Sequence, residues 1–342
     1  MKQTNSNIKI SDIANIAGVS SATVCRVLNK NGNVSEEVQK RVAKAVEETG
    51  YSPQPKRERS GAKPWIAVLN EQHIKAFESE VLSAVQEAAL EKGYLANGLQ
   101  LPQNPEKNAE VFRQLKMHKL AGIISIGFFL EPEEWIHIQR ELNTPLVLLN
   151  TQISDSNIAY LLVNFENTIS NAIKHLLDLG HTRIAYLGDE SNPFSKAQMK
   201  GVEGALMQRD MKYSPEFRIS VPNTAEGASQ GINRIMMLPR EERPTAIIAF
   251  DDDFAIHLMY ALRYYNLSIP EDISLIGFDN IPMAAHTYPT LTTIDIPKYR
   301  IGRHLVELLE QMIKKENGDR VGHIIVDGTL VVRNSTGPVK EQ

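Results

Sequence analysis

The chain of 342 residues has one cysteine, Cys25, and no apolar run long enough to cross a bilayer. A single thiol excludes an intrachain disulfide framework and a cysteine-based zinc site, which fits a reducing compartment. The opening stretch, MKQTNSNIKISD, has no apolar core and no small-residue cleavage site. No secretory signal is therefore expected, and a cytoplasmic location without membrane attachment is. Signatures of catalysis are also missing. There is no G-x-G-x-x-G after the first apolar strand, no G-x-x-x-x-G-K-[ST], no G-x-S-x-G and no H-E-x-x-H. The nine histidines are scattered, and His175 and His181, six apart, do not share a helical face. No enzyme activity, cofactor or metal is expected.

What is present is an ordinary globular composition, 42% apolar and 23% charged, with an uneven distribution of charge. Residues 1–64 carry 11 Lys/Arg against 6 Asp/Glu, a net +5, and the remainder carries −9. A small basic head on an acidic body is the asymmetry expected when the head alone meets a polyanion.

The head reads as three short helices. Ile10, Ile13, Ala14 and Ala17 form one apolar face, Gly18 breaks the helix, and Ser20 is a good N-cap for the next. In that second helix Val24, Val27 and Leu28 occupy one arc, while Ser21, Ala22, Cys25, Arg26 and Asn29 occupy the other. A third helix starts after Ser35 and buries Val38, Val42 and Val46, with Gly50 as its stop. Two helices joined by a tight glycine-containing turn in a basic unit are a helix-turn-helix. Small residues let the backbone approach the major-groove floor, where arginine offers guanine two donors. The same arc is also what an ordinary solvated helical face presents, although such a face would carry Glu or Lys.

The run ISDIANIAGVSSATVCRVLNKNGNVSEEVQKRVAKAVEETGYSP resembles the DNA-binding head of the lactose/galactose repressor family of bacterial transcription regulators. The resemblance implies base contacts from Ser21, Ala22 and Arg26, and phosphate contacts from Thr23, Asn29, Asn33, Ser35 and Tyr51. Cys25 departs from it, standing where the family usually has serine.

From Trp65 onward, apolar strands alternate with amphipathic helices, the pattern of parallel sheets covered on both faces. The strands expected are 65–70, 94–100, 122–127, 145–150, 159–163, 183–188, 245–250, 274–278 and 291–296. Helices expected between them include 77–92, 165–179 and 224–237. The fold class expected is a small all-α helix-turn-helix domain plus a two-lobed, doubly wound α/β core. The stretches HLLDLGHTRIAYLG, IIAFDDDFAI, DISLIGFDN and YPTLTTIDIP resemble the family's effector-binding core, which is similar to periplasmic sugar-binding proteins. By that likeness the divisions are 1–52 for the head, 53–64 for a basic linker, 65–163 with 295–325 for lobe one, 164–292 for lobe two, and 326–342 for a C-terminal strand and tail. A final strand near 323–333 returns to the inter-lobe region.

The resemblance implies ligand contacts at Phe77, Glu166, Gln198, Asp251, Asp279 and Lys298. Gln198 stands where sugar-binding members often carry arginine, and Lys298 where an aromatic often stacks. Each acidic position is equally readable as a helix N-cap or loop carboxylate. Three carboxylates against one cation favour a neutral sugar, polyol or nucleoside, or an amine-bearing ligand, over a sugar phosphate. A regulator without a sugar effector, an exported solute-binding protein and an enzyme on a similar core are the competing classes, and the basic head argues against the last two.

A single helix-turn-helix reads few base pairs, so a homodimer on a palindromic double-stranded operator is expected. By resemblance, Phe77, Val81, Leu82, Ala84 and Val85 form a dimer face. The linker keeps Lys56, Arg57 and Arg59 for phosphate attraction. Ser60 stands where the family has a leucine that wedges into the minor groove.

Overall fold

The computed structural model describes residues 10–28, 34–49, 64–71, 75–102, 104–118, 120–127, 130–155, 157–314 and 322–340. It divides into two compact units, residues 1–62 and 63–342.

In the first unit α1 (Ile10–Ala17), α2 (Ser21–Leu28) and α3 (Glu36–Thr49) enclose a small core of Ile13, Ala14, Ala17, Val24, Val42 and Ala45. The turn between α1 and α2 needs Gly18, whose φ is +62°. Ser20 caps α2, its hydroxyl accepting from the Thr23 backbone N–H at 3.2 Å. Arg41 of α3 closes the turn from the other side, donating to the Ala17 carbonyl at 2.5 Å and the Gly18 carbonyl at 3.0 Å. These bonds satisfy carbonyls that the end of α1 leaves without partners.

The second unit runs β1 (Trp65–Glu71), α4 (Ala76–Glu91), β2 (Leu95–Leu101), α5 (Pro105–Met117), β3 (Leu120–Ser125), α6 (Pro132–Leu142), β4 (Leu146–Leu149) and β5 (Ile158–Val163). It continues α7 (Phe165–Asp178), β6 (Ile184–Gly188), α8 (Pro193–Met207), β7 (Arg218–Ser220), α9 (Ala225–Met236), β8 (Ala246–Ala249), α10 (Asp252–Tyr264) and β9 (Ser274–Asp279). Last come β10 (Thr292–Asp295), α11 (Lys298–Lys314), β11 (His323–Val326) and β12 (Thr329–Val331).

Among the described residues these strands form two six-stranded sheets, ordered β11-β5-β4-β3-β1-β2 and β12-β10-β9-β8-β6-β7. Every pairing is parallel except β10 with β12. Both sheets therefore repeat one doubly wound order, with the progression of strand order reversing between β1 and β3 and between β6 and β8. A crevice opens beyond the strand carboxyl ends at such a reversal.

The chain passes between the sheets three times: after β5, at Ile296–Pro297, and at Asp327–Gly328. All of β10 belongs to the second sheet, so lobe two extends past the expected limit at 292. The strand expected near 323–333 is two strands, β11 on the first sheet and β12 on the second. Gly328 sits at the break because a Cβ there would lie 2.8 Å from both Thr168 and Ile296. β7 went unforeseen, since Arg218-Ile219-Ser220 offers one apolar side chain and no apolar run.

The expected dimer face on α4 also needs correction. Val81, Ala84 and Val85 are buried in the core, where α4 packs on α11 so closely that a Cβ on Gly302 would meet Ala84 at 2.5 Å.

Candidate functional site

On α2, Val24 turns inward and is fully buried, while Ser21, Ala22 and Arg26 are exposed together on the outer face. Thr23 is half-buried, and its hydroxyl pairs with Ser20 at 2.9 Å, so it is partly engaged in the cap. Ser35 is exposed just before α3, its carbonyl accepting from Gln39 N–H at 3.0 Å. Asn29, Asn33, Tyr51, Lys56, Arg57, Arg59 and Ser60 lie outside the described residues, as does the Cys25 side chain.

In the second unit a cavity of about 90 Å³ lies beyond the carboxyl ends of both sets of strands. Asn70 and Glu71 end β1, Gly127 follows β3, and Phe250 and Asp251 follow β8. Phe77, Phe165, Phe194, Phe250 and Phe278 make its apolar walls. Phe165 packs on Phe194 and Phe278 with ring centroids 6.3 and 5.9 Å apart.

Asp251 is the N-cap of α10. One carboxylate oxygen accepts from Phe254 N–H at 2.7 Å. The other accepts from the Asn223 amide at 2.8 Å and from the Lys75 ammonium at 2.7 Å. Lys75 stands just before α4, so this ion pair joins the two lobes. The ammonium also lies 5.5 Å from the Phe250 ring centroid. Burial works against that charge, but the Asp251 carboxylate, then Glu78 and Asp253, outweigh it and hold the lysine above its ordinary pKa.

Asp279 also lines the cavity, at the end of β9, with a backbone φ of 99°. Desolvation, followed by the charges of Asp251, Asp252 and Glu78, drives its carboxyl well above the usual range. Asp252 is fully buried; it accepts from Ile281 N–H at 2.8 Å and the Thr293 hydroxyl at 2.6 Å. Burial raises its pKa to about 7 against the pull of those two donors. Burial likewise raises Glu78 and Asp253.

Gln198 is buried in the wall, its carbonyl accepting from the Tyr186 hydroxyl at 3.1 Å. That hydroxyl also pairs with Ser195 at 3.0 Å. Asn70 is buried with its amide N–H on the Val68 carbonyl at 3.2 Å, and its own carbonyl oxygen has no partner among the described residues.

Of the six residues proposed from sequence, Phe77, Gln198, Asp251 and Asp279 come together on the cavity. Glu166 and Lys298 do not. Glu166 accepts from Gln208 on the outside of α7. Lys298 turns its buried ammonium onto the Asp279 carbonyl oxygen, with the Asn280 carbonyl at 3.4 Å and Glu80 and Asp295 at 3.8 Å. It therefore braces the β9 turn from behind. The sequence reading missed Lys75, Glu78, Asn70, Asp253 and four of the phenylalanines. The strand-end residues among them were findable from the rule that ligands bind beyond the carboxyl ends where the strand order reverses.

Residues 9–54 match the family model for bacterial regulatory proteins of the lacI family, and residues 173–336 match a periplasmic binding protein-like domain. The chain is 30% identical over 314 residues to the HTH-type transcriptional repressor PurR of Aliivibrio fischeri, covering 91% of this chain and 93% of the relative. Against the PurR of Vibrio vulnificus it is 32% identical over 333 residues, covering 95% and 98%. The chain belongs to the LacI family. Among solved structures, this LacI-family chain superposes on a transcriptional regulator CelR–cellobiose complex with a TM-score of 0.72 at 20% identity, covering 96% of this chain and all of that one. It superposes on the lac repressor dimer bound to operator and the anti-inducer ONPF at 0.71 and 24%, covering 96% and 99%. These two likenesses show the fold. The protein is thus a DNA-binding transcriptional repressor of the LacI family, with the helix-turn-helix head and two-lobed core expected of it. No described helix is long and apolar enough to cross a membrane.

Proposed function

We propose that this LacI-family repressor binds a palindromic operator as a homodimer and senses a small neutral or amine-bearing metabolite in the inter-lobe cavity. The cavity carries this reading. Its mouth collects the strand ends of both lobes, so an occupant touches both and its binding is coupled to their relative arrangement. About 90 Å³ is small beside the roughly 300–1,000 Å³ of drug-sized ligand sites. A single sugar ring, a polyol or one flat heterocycle is therefore the upper bound on size, and its entry requires the lobes to adjust. Phenylalanine walls suit a ring face, and the Asn70 carbonyl awaits a donor.

Glu71, Glu78, Asp251, Asp252, Asp253 and Asp279 accompany one cation, Lys75, among the described lining residues. This balance disfavours a phosphate and favours hydroxyls and amines. In the head, Ser21, Ala22 and Arg26 read bases, and Thr23, Asn29, Asn33, Ser35 and Tyr51 hold phosphates. Lys56, Arg57 and Arg59 add sequence-independent attraction. A thermal-shift screen of sugars, polyols, nucleosides, amines and sugar phosphates tests the sensor, with Asp279→Asn as the control. A bound effector at a hundredfold excess over Kd stabilises the core by about 2.7 kcal/mol, and Asp279→Asn reduces that shift. Sugar phosphates giving the largest shift would sink the charge argument.

A further inference from the structure

We propose that Lys75 is the specificity-determining residue of the cavity: its ammonium is a built-in occupant that ties the lobes together through Asp251, and a ligand ammonium enters by exchanging with it. The inference rests on the reading of the cavity as the effector site.

Four observations carry it. The pair spans the lobes, from the chain before α4 to the N-cap of α10, at 2.7 Å. It is asymmetric in exposure, since the Asp251 side chain is 7% exposed and that of Lys75 43%. The lysine can therefore swing into water on its flexible stem, whereas the aspartate cannot leave. The aspartate is nearly saturated, because Phe254, Asn223 and Lys75 occupy three of the roughly four hydrogen-bond positions a carboxylate offers. Finally, no second cation among the described lining residues stands ready to replace Lys75, while Glu78, Asp253 and Asp279 add further carboxyl groups.

Removing the ammonium leaves Asp251 buried and uncompensated, a condition that any small cation relieves. A neutral ligand can leave the pair intact. An amine must displace it, so the unliganded protein discriminates between these two ligand types through one side chain. If Lys75 is paired in about nine-tenths of molecules, an incoming ammonium binds about tenfold more weakly than it would to the empty carboxylate.

The test uses the full-length chain with Lys75→Met, Lys75→Arg, Asp251→Asn and the Lys75→Met/Asp251→Asn double substitution. Hydrogen exchange without ligand reads the tie between lobes. Lys75→Met and Asp251→Asn should speed exchange at 192–198 and 278–281, which carry cavity-lining residues outside the Lys75–Asp251 pair, and Lys75→Arg should restore protection. Faster exchange confined to 75–79 and 250–254 would show a local contact and overturn the tie. Methylammonium chloride, titrated against sodium chloride at equal ionic strength, reads the exchange. Its saturable stabilisation should appear in Lys75→Met at about a tenfold lower concentration than in the wild type, and vanish in the double variant. Equal responses in wild type and Lys75→Met overturn the inference. If neutral polyols still bind in that case, the effector site stands without it; if no sugar, polyol, nucleoside or amine binds any variant, the effector reading itself falls.

Discussion

Asp252→Asn should change how the core's stability depends on pH, and both the sign and the size follow from the site. Asp252 is fully buried in the cavity lining, and its carboxyl titrates near pH 7 because burial opposes the charge more strongly than Thr293 and Ile281 support it. In the unfolded chain the same group titrates near 3.8. A folded pKa above the unfolded one means that the folded state holds the proton more tightly. The resulting stabilisation is complete below about pH 3.8 and is lost as pH rises through about 7. Between pH 5 and pH 8 about two pKa units of that window are crossed, worth on the order of 2–3 kcal/mol. Asparagine keeps the shape and one acceptor but does not titrate.

The wild type measured relative to Asp252→Asn should therefore be less stable at pH 8 than at pH 5 by about that amount. At about 2–4 °C per kcal/mol, this is a change of roughly 5–10 °C in the difference between the two core transitions. Scanning calorimetry of both full-length proteins at the two pH values makes the measurement. Taking the difference removes groups common to both. An identical difference at pH 5 and pH 8 would refute the reasoning, because it is what a carboxylate held charged by its two donors, and ionised throughout that range, would give.

Three further outcomes are expected. Arg26→Ala should cost about 1–3 kcal/mol of operator affinity and relax preference at one base pair; a uniform loss over all sequences, seen by mobility shift, would make it a phosphate contact instead. Neutralising Lys56, Arg57 and Arg59 together should flatten the slope of log affinity against log salt by up to about 0.9 for each phosphate that no longer meets a cation, and an unchanged slope would remove the segment from the interface. Tyr186→Phe strips the buried Gln198 carbonyl and Ser195 hydroxyl of a partner and should destabilise the core by about 1–3 kcal/mol in urea titration; no change would mean that water already serves them.

The sheets were legible because buried parallel strands must be apolar along their whole length, as at Ala246–Ala249. β7 was not, because Ile219 alone carries its burial. The α4 face was assigned to the wrong neighbour, since an apolar stripe says that a helix packs and is silent about what it packs on. The cavity was legible where a residue lies at or just beyond a strand's carboxyl end, as Asp251 lies two positions past β8 and Asp279 ends β9. It was illegible where one residue's rotation decides. Phe165 lines the cavity and Glu166 does not, as successive side chains on a helix diverge by about 100°. Lys298 was placed at the ligand because position along the chain does not say which way an ammonium turns. Lys75 stands 176 positions from the carboxylate it meets, and no local pattern announces such a pairing.

That exchange of cations changes the argument about charge without reversing it. With Glu166 and Lys298 outside the lining, and Lys75, Glu78 and Asp253 inside it, carboxylates still exceed cations. Four of them, Glu78, Asp252, Asp253 and Asp279, have raised pKa values because burial opposes their charge. A protonated carboxyl both donates and accepts, which suits a hydroxyl or a ring nitrogen. Entry of an anion pushes these pKa values higher still and draws protons in from solvent. Entry of an ammonium pushes them down and releases protons, and a neutral polyol does little of either. The direction of proton exchange on binding thus separates the ligand classes that the cavity's shape alone admits together.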